Sequence, residues 1–242
     1  MTQLRIRLVP VVLLVVAGGC SRTPPVDPPA TSAAPSSPAP AAASASASAT
    51  ASVTAPQDPP PPASAAADDE PPTRVPDIEY VPTPQNVVDK LLDAAKIKKD
   101  DVLYDLGCGD GRIVVTAAKK FGVKAIGFDI DPKRVEESNA NVKKNKVEHL
   151  VTIMHKDIFT VDLSPASVVT LYLLPELNVR LIPQLEKLKA GSRVVSHDFD
   201  MEGVDPVNTW TVMAPDHRPP HKDREHYVYL WNVPLKKLAP KK

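Results

Sequence analysis

The sequence predicts an α/β domain with a doubly wound, seven-stranded, mostly parallel sheet that ends in an antiparallel hairpin. Three observations lead to this prediction. From residue 77 onward, short apolar runs alternate with segments of helical period. A glycine-rich turn follows the first apolar run, and acids follow several later runs. Strands that alternate with helices pair in parallel, and ligands bind in the crevice at the carboxyl ends of such strands.

The elements follow one another with little connecting sequence. A helix opens at 84–86, because Val87, Val88, Leu91, Leu92 and Ala95 recur on one face. Further helices are predicted at 111–121, 132–145 and 177–188. Strands are predicted at 102–106, 124–129, 151–155, 166–174, 193–197, 210–213 and 227–231, the last two forming the hairpin.

The turn between the first strand and the next helix reads D-x-G-x-G-x-G, with Asp105 followed by Gly107, Gly109 and Gly111. Glycine tolerates positive φ and has no Cβ, so a ligand can lie against bare backbone. The following helix directs free N–H groups toward that ligand. The alternating spacing differs from the G-x-G-x-x-G pattern that usually serves a pyrophosphate.

A carboxylate after the second strand has the spacing expected of a ribose-binding acid. Asp129 lies 18 residues after Gly111, close to the separation at which an acid accepts hydrogen bonds from ribose hydroxyls. Asp131 is an alternative, but Asp131-Pro132 also has the form of a helix N-cap followed by proline at the first helical position. We therefore assign Asp129 to the ribose and Asp131 to the cap.

These motifs resemble those of the class I S-adenosylmethionine-dependent methyltransferases, which have a Rossmann-like sheet. The resemblance implies that S-adenosylmethionine is the cofactor and that Asp105 faces its methionine end. It also implies that Asp157, which follows the third strand, lies beside the adenine amino group.

Further motifs resemble one branch of this superfamily. They are the segment 80–84 (YVPTP), the segment 168–175 (VVTLYLLP) and the segment 181–195. Together they resemble the small mitochondrial lysine methyltransferases that modify the ATP synthase c subunit and the ADP/ATP carrier, and still more their bacterial relatives. The resemblance covers roughly 79–206, and it implies that Tyr80 lies over the cofactor while Tyr172 and Pro175 border the methyl-transfer channel.

The expected acceptor is therefore a protein lysine, which must lose a proton before it attacks. We expect Tyr172 and Asp198 to hold it. Tyr172 can equally be a core aromatic, and Asp198 a helix cap or a loop salt bridge. After the fifth strand the mitochondrial enzymes carry Arg-Phe-Pro, whereas this chain carries 197–200 (HDFD), and this departure lies where substrate would enter.

The first twenty residues predict export. Arg5 and Arg7 precede the apolar run 8–16, and small residues lead to Cys20. This order describes an export signal, and the Cys makes it resemble a bacterial lipoprotein signal; a plain signal with an incidental Cys is the alternative. The resemblance implies a lipidated Cys20 and a membrane-anchored protein that faces outside the cytoplasm, on the outer membrane where one exists.

Residues 21–76 contain 15 of the 28 prolines and no Phe, Tyr or Trp. Such a segment buries too little apolar surface to offset its chain entropy, so we expect a disordered tether. The folded domain is then 77–242. If Cys20 is acylated, only Cys108 remains, and no intramolecular disulfide can form.

Charge and histidine content argue against nucleic acid as a substrate and against a metal site. Basic and acidic residues balance at 29 each, so no net cationic field attracts nucleic acid. His217, His221 and His226 lack regular ligand spacing, so we predict a solvated loop and no metal. The segments 94–100 and 143–146 are basic helix ends and loops; anionic lipid is one possible neighbour, but we interpret them as a solvated face. We expect a monomer.

Two further hypotheses follow from the predicted location. S-adenosylmethionine is made in the cytoplasm, whereas the signal predicts export. Three explanations would resolve this conflict: the cofactor is present outside the cytoplasm or exported with the protein, translation starts later and gives a cytoplasmic form, or the protein is a non-catalytic exported lipoprotein that binds a ligand or partner. A methyltransferase acting on a small molecule is the other alternative.

Overall fold

The computed structural model describes residues 74–238. The predicted signal at 1–20, with Cys20, lies outside the described residues, as does the predicted tether up to residue 73. Within the described part, no helix is long and apolar enough to span a bilayer. The elements are α1 Gln85–Ala94, β1 Val102–Leu106, α2 Arg112–Phe121, β2 Lys124–Asp129, α3 Pro132–Asn145, β3 Val151–His155, β4 Val168–Leu171, α4 Pro175–Leu185, β5 Arg193–His197, β6 Asn208–Pro215 and β7 Asp223–Asn232.

The seven strands form one sheet in the order β3-β2-β1-β4-β5-β7-β6. Strands β1 to β5 pair in parallel, and β7 pairs antiparallel with both β5 and β6. The strand order reverses between β1 and β4, so the crevice expected of a doubly wound sheet opens at the carboxyl ends of these two strands. The predicted α/β sheet with a terminal antiparallel hairpin is confirmed.

Each face of the sheet is covered by a separate apolar cluster. Helices α1, α2 and α3 pack on one face, around residues such as Leu91, Val114 and Val195. Helix α4 packs on the other face with Leu106, Leu171 and Trp231. The indole of Trp231 is fully buried and its N–H donates to the Val204 carbonyl at 3.3 Å. These clusters fix the strands whose ends form the crevice.

The predicted strand 166–174 is too long, and the helix predicted at 177–188 is shifted. Strand β4 ends at Leu171, and α4 runs from Pro175 to Leu185. Pro175 occupies the first helical turn, where its missing N–H costs nothing. Residues 172–174 are thereby released from the sheet, and Tyr172 turns toward the crevice. The hairpin strands are longer than predicted, at 208–215 and 223–232.

Candidate active site

The glycine-rich turn brings backbone to the surface of the crevice. Gly107, Gly109 and Gly111 have φ values of +79°, +55° and +74°, which L-residues with side chains rarely adopt. The N–H groups of Gly107 and Cys108 donate to the Phe128 carbonyl at 2.8 and 2.9 Å, so the turn is held against the end of β2. The three glycines therefore allow the positive-φ backbone of this turn, as the motif predicts.

A cavity of about 1160 Å³ opens at the carboxyl ends of the parallel strands. Its lining includes most of the residues that the sequence predicts for the site, namely Tyr80, Asp105, Gly107, Asp129, Asp157, Tyr172 and Asp198. Gly109 and Gly111 are covered instead, by the ring of Tyr80 and by Ser138 respectively. One side of the cavity is formed by residues 76–83, which we call the strap.

Asp105 has one partnered and one unpartnered oxygen. Thr170 Oγ1 donates to Asp105 Oδ1 at 2.6 Å, while Oδ2 is buried without a hydrogen-bond partner among the described residues. Burial raises the pKa of Asp105 to about 7. A buried acceptor that borders the cavity suits a cationic ligand group such as the α-ammonium of S-adenosylmethionine.

Asp129 closes the turn onto β2. Its Oδ2 accepts from the Gly109 N–H at 2.8 Å, and its Oδ1 accepts from the Asp131 N–H at 3.0 Å. Burial raises the pKa of Asp129 in spite of these hydrogen bonds, which oppose the rise. Asp131 accepts from the Lys133 N–H at 2.9 Å and caps α3, with Pro132 at the first helical position as predicted.

Asp157 lies at the far end of the cavity and is paired with a residue that the sequence places in the tether. Arg74 Nη1 lies 2.8 Å from Asp157 Oδ2, and Arg74 also pairs with Asp77. The Phe159 N–H donates to Asp157 Oδ1 at 3.0 Å. The contact of Arg74 with Asp157 could not be predicted from the sequence, because no local pattern distinguishes Arg74 from the proline-rich residues before it. Arg74 attaches the strap to the loop after β3.

Tyr80 places an aromatic ring of the strap directly over the glycine-rich turn. A Cβ at Gly109 would lie 2.3 Å from Tyr80 Cε2, so only glycine allows this approach. The guanidinium carbon of Arg134 lies 4.5 Å from the centre of the Tyr80 ring. Burial raises the pKa of Tyr80 to about 12, so its phenol is neutral at physiological pH.

Beneath Tyr172 lies a pair of buried histidines. The Tyr172 and His197 rings have centroids 3.9 Å apart, and His197 Nε2 lies 2.8 Å from His226 Nδ1. Thr83 Oγ1 shares a hydrogen bond with His197 Nδ1 at 3.1 Å. Burial lowers the pKa of His197 to about 3 and keeps it neutral, and burial also raises the pKa of Tyr172 to about 12.

The prediction of a solvated loop is wrong for His226. This residue is in β7 and is 2 % exposed, on the same face as Val228 and Leu230. The period-two alternation of His226, Val228 and Leu230 was the signal that could have placed it inside. His217 and His221 do lie exposed in the hairpin connection, as predicted.

Asp198 is the loop salt bridge that the sequence left as an alternative. Its Oδ2 accepts from Arg224 Nη2 at 2.5 Å, and its Oδ1 accepts from the Tyr227 N–H at 3.0 Å. Burial alone would raise the pKa of Asp198, but the hydrogen bond from Arg224 and the neighbouring groups outweigh it and lower the pKa. Asp198 is therefore a fixed carboxylate at the edge of the cavity.

His197, Asp198 and His226 are near enough to suggest a metal centre, but their orientation favours hydrogen bonding. The two ring centroids are 5.0 Å apart while the nitrogens are 2.8 Å apart, so the rings meet nearly head-on. In such a pair the N–H of one ring points at the lone pair of the other, so neither nitrogen directs a lone pair toward a shared ion. Arg224 also lies on the Asp198 oxygen that would bind a cation.

The charged groups of the lining favour cationic ligands. Eight of the lining residues are Asp or Glu, and five are Arg or Lys. S-adenosylmethionine carries a sulfonium and an ammonium, and both are attracted by an excess of carboxylates in a confined space.

Comparison with known proteins identifies the family of the chain. The family model of the ANTKMT methyltransferase domain matches residues 105–208. A protein-lysine N-methyltransferase of Saccharolobus islandicus (strain REY15A) is 52 % identical over 161 residues, which is 66 % of this chain and 96 % of that enzyme. The chain belongs to this family of S-adenosylmethionine-dependent methyltransferases. The methyltransferase uses S-adenosylmethionine, and the idea of a non-catalytic binding protein finds no support.

Two further similarities extend the comparison. An RNA methyltransferase from Salinibacter ruber, solved with S-adenosyl-L-homocysteine, is 43 % identical with a TM-score of 0.56, covering 67 % of the methyltransferase and 98 % of that chain. The lysine N-methyltransferase of Xenopus laevis that is named for the ATP synthase c subunit is 30 % identical over 152 residues. That match covers 57 % of the methyltransferase and 65 % of the Xenopus enzyme.

Proposed function

We propose that the methyltransferase transfers a methyl group from S-adenosylmethionine to the side-chain amine of a protein lysine. The observation that carries this proposal is the 52 % identity to a protein-lysine N-methyltransferase over nearly all of that enzyme. The acidic lining of the cavity supports it, because a lysine approaches as a cation.

The cofactor supplies a methyl group bound to a positively charged sulfur. Three residues have positions that suit holding it: Asp105 offers a buried free oxygen for the ammonium, Asp129 a carboxylate for the ribose, and Asp157 a carboxylate for the adenine amino group. An unprotonated acceptor amine would take this methyl group, and the electron pair of the broken carbon–sulfur bond would stay on sulfur. The acceptor ammonium would first have to give one proton to solvent water.

Residues on the acceptor side position the amine and exclude water. Tyr172 borders the cavity and is held from below by His197, and Phe199 stacks on Tyr172 with centroids 6.1 Å apart. Aromatic faces favour a cationic amine. Asp198 adds a fixed negative charge at the same edge. Holding an amine in near-attack geometry supplies much of the rate in such displacements.

RNA is the second candidate acceptor, because the Salinibacter ruber protein with 43 % identity is described as an RNA methyltransferase. The lining of the cavity argues against it here, since eight acids against five bases repel a polyphosphate chain. A small-molecule acceptor is the third candidate and has no specific observation in its favour.

Labelled cofactor separates these acceptors. Extract from a deletion strain is incubated with the enzyme and methyl-tritiated S-adenosylmethionine, then divided between protease and ribonuclease digestion. We expect protease to release the label and acid hydrolysis to yield methyllysine. Label released by ribonuclease, or label found only in small molecules, would refute the lysine proposal.

The Asp198→Asn variant tests the acceptor side of the site. It keeps the shape of the side chain and removes the charge, so we expect a several-fold higher KM for the acceptor and an unchanged cofactor Kd. An unchanged KM would mean that Asp198 serves the hairpin only, through Arg224 and Tyr227.

A further inference from the structure

Four connections at the end of the sheet opposite the cavity form a cluster of lysines. These connections, 93–101, 119–124, 143–150 and 186–192, precede β1, β2, β3 and β5. They contain eleven lysines, five acids and no arginine. Because β1, β2, β3 and β5 belong to the parallel part of the sheet, their amino ends share one edge. We call this surface the basic face.

The lysines of the basic face are exposed, and their charges are mostly uncompensated. All eleven are exposed, and only Lys120 takes part in an ion pair of the described residues, with Asp89 and Asp93. Lys187 also interacts electrostatically with Asp162, an exposed acid in the connection before β4. Two of the five acids are paired with other groups: Asp101 is buried against Arg193, and Glu186 lies 2.8 Å from Lys237 Nζ. The face therefore carries a larger net charge than the count of acids suggests.

Helix dipoles account for only part of this arrangement. Lysines in the last turn of a helix complement its macrodipole, and this explains Lys119 and Lys120 in α2 and Lys143 and Lys144 in α3. The other seven lysines lie outside the helices: Lys124 begins β2, and six lie in the connections themselves. The last turns of α1 and α4 contain no basic residue. Helix dipoles therefore do not explain why most of these lysines lie at this edge of the sheet.

The opposite end of the molecule has the reverse charge. The cavity at the carboxyl ends of the strands has eight acids and five bases in its lining, and one further base, Arg74, pairs with two of these acids, so an excess of two acids remains. The whole chain is electrically neutral by count. The domain is therefore polarised along the strand direction, and a negatively charged surface would attract one end and repel the other.

We propose that the basic face docks the enzyme on an anionic lipid bilayer and directs the cofactor cavity away from the membrane. The face follows the edge of a five-stranded parallel sheet, about 20 Å across at the usual strand spacing. Lysines near a membrane surface are attracted by anionic headgroups within a Debye length.

The composition of the face fits a bilayer better than a nucleic acid. Arginine recognises phosphate with a bidentate fork and aromatic rings stack on bases, but the four connections contain no arginine, and their only Phe, Tyr or Trp, Phe121, is packed against the core. Lysine acts as a point charge. Attraction to anionic headgroups requires positive charge but neither a bidentate hydrogen bond nor stacking.

Vesicle sedimentation tests this orientation with the full-length protein. Binding to vesicles of phosphatidylglycerol and phosphatidylcholine is compared with binding to phosphatidylcholine alone, which measures any contribution of the N-terminal residues. We expect at least tenfold stronger partitioning onto the anionic vesicles, and loss of this difference in 0.5 M salt. Equal partitioning onto both vesicles would overturn the proposal.

Two matched triple variants locate the surface. K98Q/K124Q/K144Q removes one lysine from each of three connections of the basic face. K90Q/K156Q/K222Q removes the same charge from other parts of the domain. We expect the first variant to lose most of the anionic preference and the second to keep it, while calorimetry shows that both bind cofactor. If both lose the preference equally, net charge and not the face is responsible. Tighter capture of an RNA oligonucleotide through the same lysines would identify a nucleic-acid surface instead.

Discussion

At the scale of single residues, the site depends on atoms that are buried and incompletely partnered. Asp105 Oδ2 borders the cavity without a hydrogen-bond partner among the described residues, and burial favours the neutral acid. A carboxylate in this state is ready to gain an interaction with a cation. Binding of the cofactor ammonium to Asp105 is therefore coupled to the loss of one proton from the Asp105 carboxyl group.

Cofactor affinity should depend on pH through Asp105. Its pKa of about 7 means that most molecules must lose this proton before pairing with an ammonium at lower pH. We expect the Kd for S-adenosylmethionine to fall up to about tenfold per pH unit from pH 5.5 to 7 and to level off above. Calorimetry in two buffers of different ionisation enthalpy measures the proton release. The Asp105→Asn variant should bind more weakly and show neither effect; a pH-dependent Kd in that variant would contradict the assignment.

Alanine variants of two glycines with similar backbone angles distinguish the effect of backbone strain from the effect of a clash with a neighbouring side chain. Gly109 has φ +55° with the Tyr80 ring against it, whereas Gly122 has φ +68° with nothing near the position of a Cβ. Both changes to Ala should cost about 1 kcal/mol in unfolding free energy from backbone strain. Only Gly109→Ala must also displace Tyr80, so we expect at least tenfold weaker cofactor binding from it alone. Equal effects on Kd would show that Tyr80 does not contribute to the cofactor site.

At the scale of elements, the strap and strand β5 are joined by the histidine pair. Thr83 of the strap contacts His197 at the end of β5, and His197 contacts His226 in β7. The strap is attached at its other end through Arg74 and Asp157. An element without regular secondary structure is thus fixed at both ends of the cavity.

Two buried groups at strand ends should affect acid stability in opposite senses. The pKa of His197 is lowered from its usual 6.5 to about 3, so its contribution is present above pH 6.5 and is lost as pH falls toward 3. The pKa of Asp105 is raised to about 7, so its neutral form adds stability as pH falls from 7 to 4. Each group contributes roughly 1.4 kcal/mol per pH unit in its range.

Asp105→Asn removes one of these two contributions. We expect its unfolding free energy, from urea titration without cofactor, to fall more steeply between pH 7 and 4.5 than that of the unaltered protein. Parallel curves for the two proteins would show that Asp105 does not titrate in this range.

At the scale of the whole molecule, location is the open prediction. The exported lipoprotein is inferred from residues 1–20 alone, which lie outside the described residues. We expect cells to incorporate a palmitate analogue into the full-length protein and to fail with the Cys20→Ala variant. Equal labelling of both proteins would contradict the prediction that Cys20 is lipidated. Docking through the basic face would still be tested separately by vesicle binding.

The sequence by itself determined the order of elements, the glycine-rich turn, the cap at Asp131 and the carboxylates at or near the carboxyl ends of β1, β2 and β3. These features are local: hydrophobic period, backbone freedom and capping are set by neighbours along the chain. It also predicted the ends of the strands to within a residue or two, except where Pro175 began α4 early and in the longer hairpin.

Only the tertiary structure decided which distant groups meet. His197 and His226 are 29 residues apart, Asp198 and Arg224 are 26 apart, and Arg74 and Asp157 are 83 apart. The lysines of four connections form one face because parallel strands begin at the same edge of the sheet. Such contacts depend on the strand order β3-β2-β1-β4-β5-β7-β6, which no local pattern specifies, because each strand can satisfy its backbone hydrogen bonds with several neighbours.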